Sequence, residues 1–310
     1  MATVDGAPSD RARRLVRSAY DLHVHVAPDV VERRIDDLSL ARRFHELGLG
    51  GFALKSHYTS TAERARIVSR AVPGVDVVGT LTLNRAVGGL NPLAVEIAAR
   101  EGARIVWLPT VDAENEAGAR DREYPAGVAR PDWARIQVEL DAQGTDVPPV
   151  PVVDRDGAPL PELRTVLAVV ARHGLVLGTG HLSRAEIFAV VEAATEAGVR
   201  RIVVTHPEFP AQALEVDDEV ALVERGALVE RCFTTPHTGK TPWERVCAGI
   251  RATGPENNLL STDLGQPANP PVEDGLALFV DRLLGEGFTE DEIRTMTVEN
   301  SRTLAGVAAP

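Results

Sequence analysis

The sequence predicts a single closed (β/α)8 barrel of the TIM type. Two features of its pattern carry that prediction. Eight short runs rich in β-branched residues alternate with eight stretches of helical periodicity, and five of the runs end in a histidine or an aspartate. Strict βα alternation also builds open doubly wound sheets, so a further observation makes the choice. No GxGxxG follows the first run, which removes the main positive reason for the open sheet.

In order, the strand runs are Ala19 to Val26, Gly51 to His57, Val75 to Asn84, Ala103 to Thr110, Gly174 to His181, Arg200 to Pro207, Ala227 to Phe233 and Asn258 to Gly265. Between and after them, apolar residues recur at helical spacing. These stretches are Leu38 to Leu47, Ala62 to Ala71, Leu93 to Arg100, Leu163 to Arg172, Arg184 to Ala197, Val216 to Arg225, Trp243 to Thr253 and Val272 to Leu284. Gly48, Gly102, Gly174, Gly198 and Gly226 stand where left-handed helix caps fall. One connection is too long for a simple βα loop. Val111 to Pro161 is an insertion after strand four, with Asp156-Gly157 as a hairpin turn; leaving the carboxyl end of a strand, it belongs on the catalytic face. Residues 1–18 form an N-terminal extension to a barrel domain spanning 1–310.

Composition limits the partners. With 33 basic and 45 acidic residues the net charge is -12, which repels nucleic acid and anionic membranes at long range. A small-molecule substrate is the expected partner, and self-association into a homo-oligomer is left open. Neither a signal peptide nor a membrane span is legible, which gives the expectation of a cytoplasmic protein. Cys232 and Cys247 are too few for a disulfide framework and read as buried free thiols without a role.

Asp21-Leu22-His23-Val24-His25 closes the first run. Residues two apart in a strand share a side, so His23 and His25 can present two imidazoles to one cation. His57, His181 and His206 end three further runs, and a barrel gathers those ends into one rim; the set reads as a metal site. His45 and His173, in last helical turns, read as structural. Asp263, at the end of an apolar run, needs a cation or strong donors if buried. His57 and His237 are expected as substrate contacts, with Glu230 a further candidate. Glu230 and its neighbour Arg231 must face opposite ways, and the sequence does not say which one enters the pocket.

The chain has only two lysines, Lys55 and Lys240. Lys55 lies in the apolar run Gly51 to His57, where arginine could not serve if a neutral amine were required. A desolvated lysine can act as a base, polarise an oxygen or take up carbon dioxide as a carbamate ligand; the plain alternative is an ion pair with a strand-end carboxylate.

The ordered set resembles the amidohydrolase superfamily of metal-dependent hydrolases, which includes dihydroorotases and phosphotriesterases, over almost the whole chain. That group carries an HxH after strand one, histidines after strands five and six and an aspartate after strand eight. His23, His25, His181, His206 and Asp263 match in order, and Met296 to Gly306 looks like the short helix that follows such barrels. The resemblance implies a hydrolase holding one or two divalent ions, zinc by preference, that lower the pKa of bound water to about 7 and polarise a carbonyl. The hydroxide so formed would cleave an amide, cyclic amide, lactone or ester. It implies that Asp263 takes the water proton, that His23 and His25 hold the first ion, and that His181 and His206 hold a second or divide ligation and substrate orientation between them.

There is one departure. Many binuclear members place a carboxylated lysine on strand four, but Arg104 to Thr110 has none, whereas Lys55 stands on strand two. The site is then binuclear with a carboxylated Lys55 or mononuclear with Lys55 free. The rivals are a non-hydrolytic lyase or decarboxylase on the same barrel, and a metal-dependent binding protein without turnover.

Overall fold

The computed structural model describes residues 6–119 and 132–307. Eight strands run in parallel and in sequence order: β1 (Tyr20–Val24), β2 (Gly51–Leu54), β3 (Asp76–Thr82), β4 (Ala103–Trp107), β5 (Val176–Gly178), β6 (Ile202–Thr205), β7 (Ala227–Cys232) and β8 (Asn258–Ser261). Just beyond β8, Leu264 bridges back to Val24 of β1. The His25 amide donates to the Leu264 carbonyl at 2.8 Å and the Asp263 amide to the His23 carbonyl at 2.8 Å, closing the ring as a (β/α)8 barrel.

The helices start and stop where the chain supplies caps. Asp36 accepts from the Ser39 amide ahead of Asp37–Leu47, and Asn91 accepts from Leu93 and Ala94 ahead of Pro92–Glu101. Gly48, Gly102 and Gly174 then take positive φ at the ends of their helices, as their positions in the sequence led one to expect. The strands are shorter than the runs that predict them. Residues such as Lys55, His57, His181, His206 and Asp263 leave the ladder at its carboxyl end, and there they form the rim.

The barrel interior is a packed core of Leu22, Ala53, Val78, Ile105, Trp107, Val176, Val203 and Leu259, stoppered at the amino-terminal end by Leu304 and Ala305. Those last two lie at the end of the helical run that follows the barrel, Glu290–Arg294, Thr295–Glu299 and Asn300–Leu304. Gly178 makes room for the largest member of this core. A β-carbon there would stand 2.4 Å from the Trp107 ring.

The N-terminal extension contains a six-residue helix, Asp10–Leu15, too short for a helical period to show in its sequence. Ser9 and Arg13 tie it to Asp281 and Asp274 of the last barrel helix, Val272–Gly285. In the insertion a short 3-10 helix, Glu114–Ala119, follows β4, and the helix Asp132–Ala142 comes later; residues 120–131 of that insertion lie outside the described residues. Asp154 to Ala158 makes the expected hairpin turn, with Gly157 at φ 82°. Among the described residues no helix is long and apolar enough to cross a membrane.

Candidate metal centre

A β-bulge sets the orientation of the first two histidines. Between Asp21 and Val24 strand β1 has one residue more than β2, so Leu22 joins the interior core and His23 nevertheless also faces inward. Asp21 stabilises the irregularity. Its fully buried carboxylate accepts from the Thr262 amide at 3.0 Å, the Thr262 hydroxyl at 2.6 Å and the His23 amide at 3.3 Å, replacing ladder partners at the seam with β8. Burial pushes its pKa up to about 7, against the pull of those donors.

His23 is held from below. Its Nδ1 lies 3.1 Å from Glu230 Oε2, inside the barrel, which leaves Nε2 as the lone-pair nitrogen facing the rim. Around that nitrogen stand Lys55 Nζ at 2.7 Å and Asp263 Oδ1 at 3.2 Å, and the same Asp263 oxygen is 3.2 Å from His25 Nε2. Acceptor atoms of three residues thus point at one small volume. His23, His25 and Asp263 can each offer one ligand atom, all within 4.8 Å of one another. A cation satisfies such a set, and buried imidazole and carboxylate are donors that suit a divalent transition ion.

The other strand-end histidines close the ring. Successive imidazole centroids are separated by 4.8 Å for His25 and His57, 6.3 Å for His57 and His181, 5.1 Å for His181 and His206, and 5.9 Å for His206 and His23. His57 Nδ1 meets Thr110 Oγ1 at 2.9 Å, while His181 Nδ1 meets Glu116 Oε1 at 3.1 Å. The buried Nδ1 atoms of His25 and His206 have no hydrogen-bond partner among the described residues. His206 and Asp263 take positive φ, 27° and 54°, a conformation costly for residues other than glycine and concentrated at functional sites.

Electrostatics keep most of these rings neutral. Burial lowers His25 to about 3 and holds His57, His181 and His206 well below the ordinary histidine value, with neighbouring imidazoles and cations adding to the effect. His23 is the exception: burial and Lys55 act downward, but Glu230 and Asp263 outweigh them and raise it. Burial also lowers Lys55, whose Nζ sits 5.1 Å above the Trp107 ring. For Asp263, burial acts upward and is overcome by His23 and by hydrogen bonds to both histidines, which hold it well below the usual carboxylate range. The site therefore offers neutral imidazoles at His25, His57, His181 and His206 and an ionised carboxylate at Asp263.

Two expected substrate contacts are placed differently. Glu230 is 1% exposed and lies beneath His23, so it orients that ring rather than facing the pocket; its neighbour Arg231 turns outward into a buried cluster with Glu208, Glu219 and Asn258. His237 lies in the helical turn Thr234–His237, where its ring stacks on Phe233 at 4.8 Å rather than on one of the five strand-end imidazoles. His57 does join the cluster. Residues that sequence reasoning missed are Asp21, Asn84, Glu116 and Trp107. Asn84 bonds the His57 carbonyl, Thr110 Oγ1 and the Thr110 amide, holding the ends of β2 and β4 together. The apolar context of Asp21 was its only legible signal, and Glu116 had none. His173, expected as structural, bonds Glu96 at 2.9 Å on the outer surface, and Cys232 and Cys247 are free buried thiols.

Solved structures similar to this chain share its eight-stranded parallel barrel. A protein of Pseudomonas putida assigned as a 2-pyrone-4,6-dicarboxylic acid hydrolase aligns over 94% of this chain and 99% of its own, with TM-score 0.58 and 16% identity. For an amidohydrolase from Pseudomonas aeruginosa the values are 96% and 99%, TM-score 0.63 and 11% identity. For an organophosphorus hydrolase from Deinococcus radiodurans they are 97% and 95%, TM-score 0.53 and 17% identity. At such identities the likeness establishes the fold. By sequence the chain belongs to a family of unknown function, DUF6282, which it matches over residues 18–230. No curated protein matches it.

Proposed function

We propose that this chain is a metal-dependent hydrolase acting on an amide, cyclic amide, lactone or ester of a small molecule. The observation that carries the reading is the approach of one carboxylate oxygen, Asp263 Oδ1, to within 3.2 Å of the Nε2 atoms of both His23 and His25, inside a ring completed by His57, His181 and His206. The hydrolytic activities named for the structural neighbours support it.

His23, His25 and Asp263 would hold the first ion; His181, His206 and a carboxylated Lys55 would hold a second, and in a mononuclear site one of the two histidines would ligate and the other orient the substrate oxygen. Zinc suits the imidazole-rich donor set. A bound divalent ion lowers the pKa of water and polarises a carbonyl oxygen. Asp263, ionised and 18% exposed at its side chain, is placed to accept a proton from water and return it to the leaving group. Lys55 has two available states. As a free amine it donates to the lone pair of His23 Nε2 at 2.7 Å and competes with the ion there. As a neutral amine it can instead add to carbon dioxide, forming an N–C bond and releasing one proton, and the resulting carbamate gives two further anionic oxygens. The reading includes a cytoplasmic location and no nucleic-acid or membrane partner.

Metal analysis of protein purified without chelator, followed by a screen of amide, lactone and ester substrates in isotopically labelled water, tests the proposal. Hydrolysis places one solvent oxygen in the product. A metal-free protein with full activity, or a product without solvent oxygen, refutes it.

A further inference from the structure

Two of the ring histidines have a carboxylate at Nδ1, and the two carboxylates come from different kinds of element. Glu230, behind His23, belongs to β7 and is fixed by ladder bonds on both sides. Glu116, behind His181, belongs to the 3-10 helix Glu114–Ala119 of the insertion, outside the barrel. It is nevertheless 2% exposed. The preceding residue reinforces the contact: Asn115 Nδ2 donates to the His181 carbonyl at 3.1 Å and to the Ala211 carbonyl at 2.7 Å. Ala211 lies in the turn after His206, so this one side chain spans the loops carrying two imidazoles.

The segment is seated by its own anchors. Gln137, on the helix Asp132–Ala142, donates to the Val111 carbonyl and to Asp112 Oδ1, and Asp112 Oδ2 accepts from the Arg85 amide at 2.8 Å. Gln137 is buried, and its amide nitrogen bonds the insertion rather than any imidazole.

We propose that Glu116 is a positioning residue for His181, and that through it seating of the insertion and occupancy of the metal centre are thermodynamically linked. The proposal rests on the metallohydrolase reading above. A carboxylate at Nδ1 fixes the tautomer, aims Nε2 and raises its basicity, and losing such a partner typically weakens metal binding about 10–100-fold. Coupling is reciprocal: whatever factor a seated insertion adds to metal affinity, bound metal adds to the seating equilibrium. The insertion is then part of the metal centre rather than only a wall of the pocket.

The test uses the full chain and zinc, with affinity measured by competition against a chromophoric chelator and hydrogen exchange followed in the peptide covering 111–119. Glu116→Gln keeps shape and an acceptor oxygen but removes the charge, so zinc affinity is expected to fall by about tenfold, approaching a hundredfold for Glu116→Ala. Gln137→Leu, which leaves every histidine contact intact, should weaken zinc binding through loosened seating alone. In the wild type zinc should slow exchange in 111–119, and in Glu116→Gln at saturating zinc that slowing should be largely lost. A structural role without linkage would change melting temperature and leave both readouts unmoved. Zinc affinity of Glu116→Gln within twofold of wild type, a Gln137→Leu affinity equal to wild type, or zinc-independent exchange in 111–119 overturns the inference. A wild-type chain that binds no zinc instead overturns the metallohydrolase reading beneath it.

Discussion

Replacing Arg231 by methionine removes a guanidinium with no solvent exposure. Its Nε donates to Asn258 Oδ1 at 2.8 Å, Nη1 to Glu208 Oε2 at 3.3 Å and Nη2 to Glu219 Oε2 at 2.6 Å; Arg245 adds a contact to Glu219 Oε1 at 2.6 Å. The cluster is two cations against two carboxylates, and both carboxylates have no exposed side-chain surface. Methionine replaces the stem but leaves one buried negative charge without a counter-charge, a change that costs about 3–5 kcal/mol. Typical domain stability is about 5–15 kcal/mol, so the loss is a large share of the total. Arg231→Met/Glu208→Gln restores the charge balance around the remaining Arg245–Glu219 pair and should recover about half of the loss or more.

The pH dependence has a fixed sign. Burial already raises the Glu208 carboxyl above its ordinary value despite Arg231, and without Arg231 it rises further. A carboxyl raised in the folded state contributes stability that is fully present below the ordinary glutamate pKa and is lost as pH rises through the folded value. The Arg231→Met deficit should therefore be larger at about pH 8 than at about pH 5. Urea unfolding followed by circular dichroism on chelator-treated protein measures it free of metal linkage. A deficit below about 1 kcal/mol, no pH dependence, or a double variant no better than the single would show that the cluster is not the buried charge network described.

Asp263→Asn should retain the fold while lowering turnover about 10²–10⁴-fold, because the amide cannot accept the proton; unchanged turnover on a verified substrate removes Asp263 from the chemistry. His23→Ala and His25→Ala should lose metal and activity together, and elemental analysis showing wild-type metal content in either would contradict the ligand assignment. If Lys55 is carboxylated, metal-free protein should regain activity faster when bicarbonate accompanies the metal, and Lys55→Ala should bind less metal with partial rescue by a short carboxylic acid. An intact-mass measurement under mild conditions that finds only the free amine in fully active protein rules out the carbamate. Shortening the insertion should change both substrate preference and metal affinity, since Glu116 lies within it; an effect on substrate preference alone would separate the insertion from the metal centre.

The order of elements was legible because periodicity, glycine caps and strand-end residues are local properties. The helices Ala62–Ala71 and Trp243–Thr253 begin and end where apolar spacing places them, and the eight strands follow in the predicted order. The gathering of His23, His25, His57, His181, His206 and Asp263 was legible for the same reason, since a closed parallel barrel brings all strand carboxyl ends to one rim. Alternation along β1 could not place His23 and Leu22 on the same side. The bulge does so, and it depends on Asp21 meeting Thr262, 241 residues away, across the barrel seam. Nor could sequence decide between Glu230 and Arg231, because both faces of β7 are buried and each offers a partner. Glu116 reaches His181 only through the path of the insertion. Pairings between distant residues are set by how the closed barrel and its rim loops pack, and that the tertiary structure alone decides.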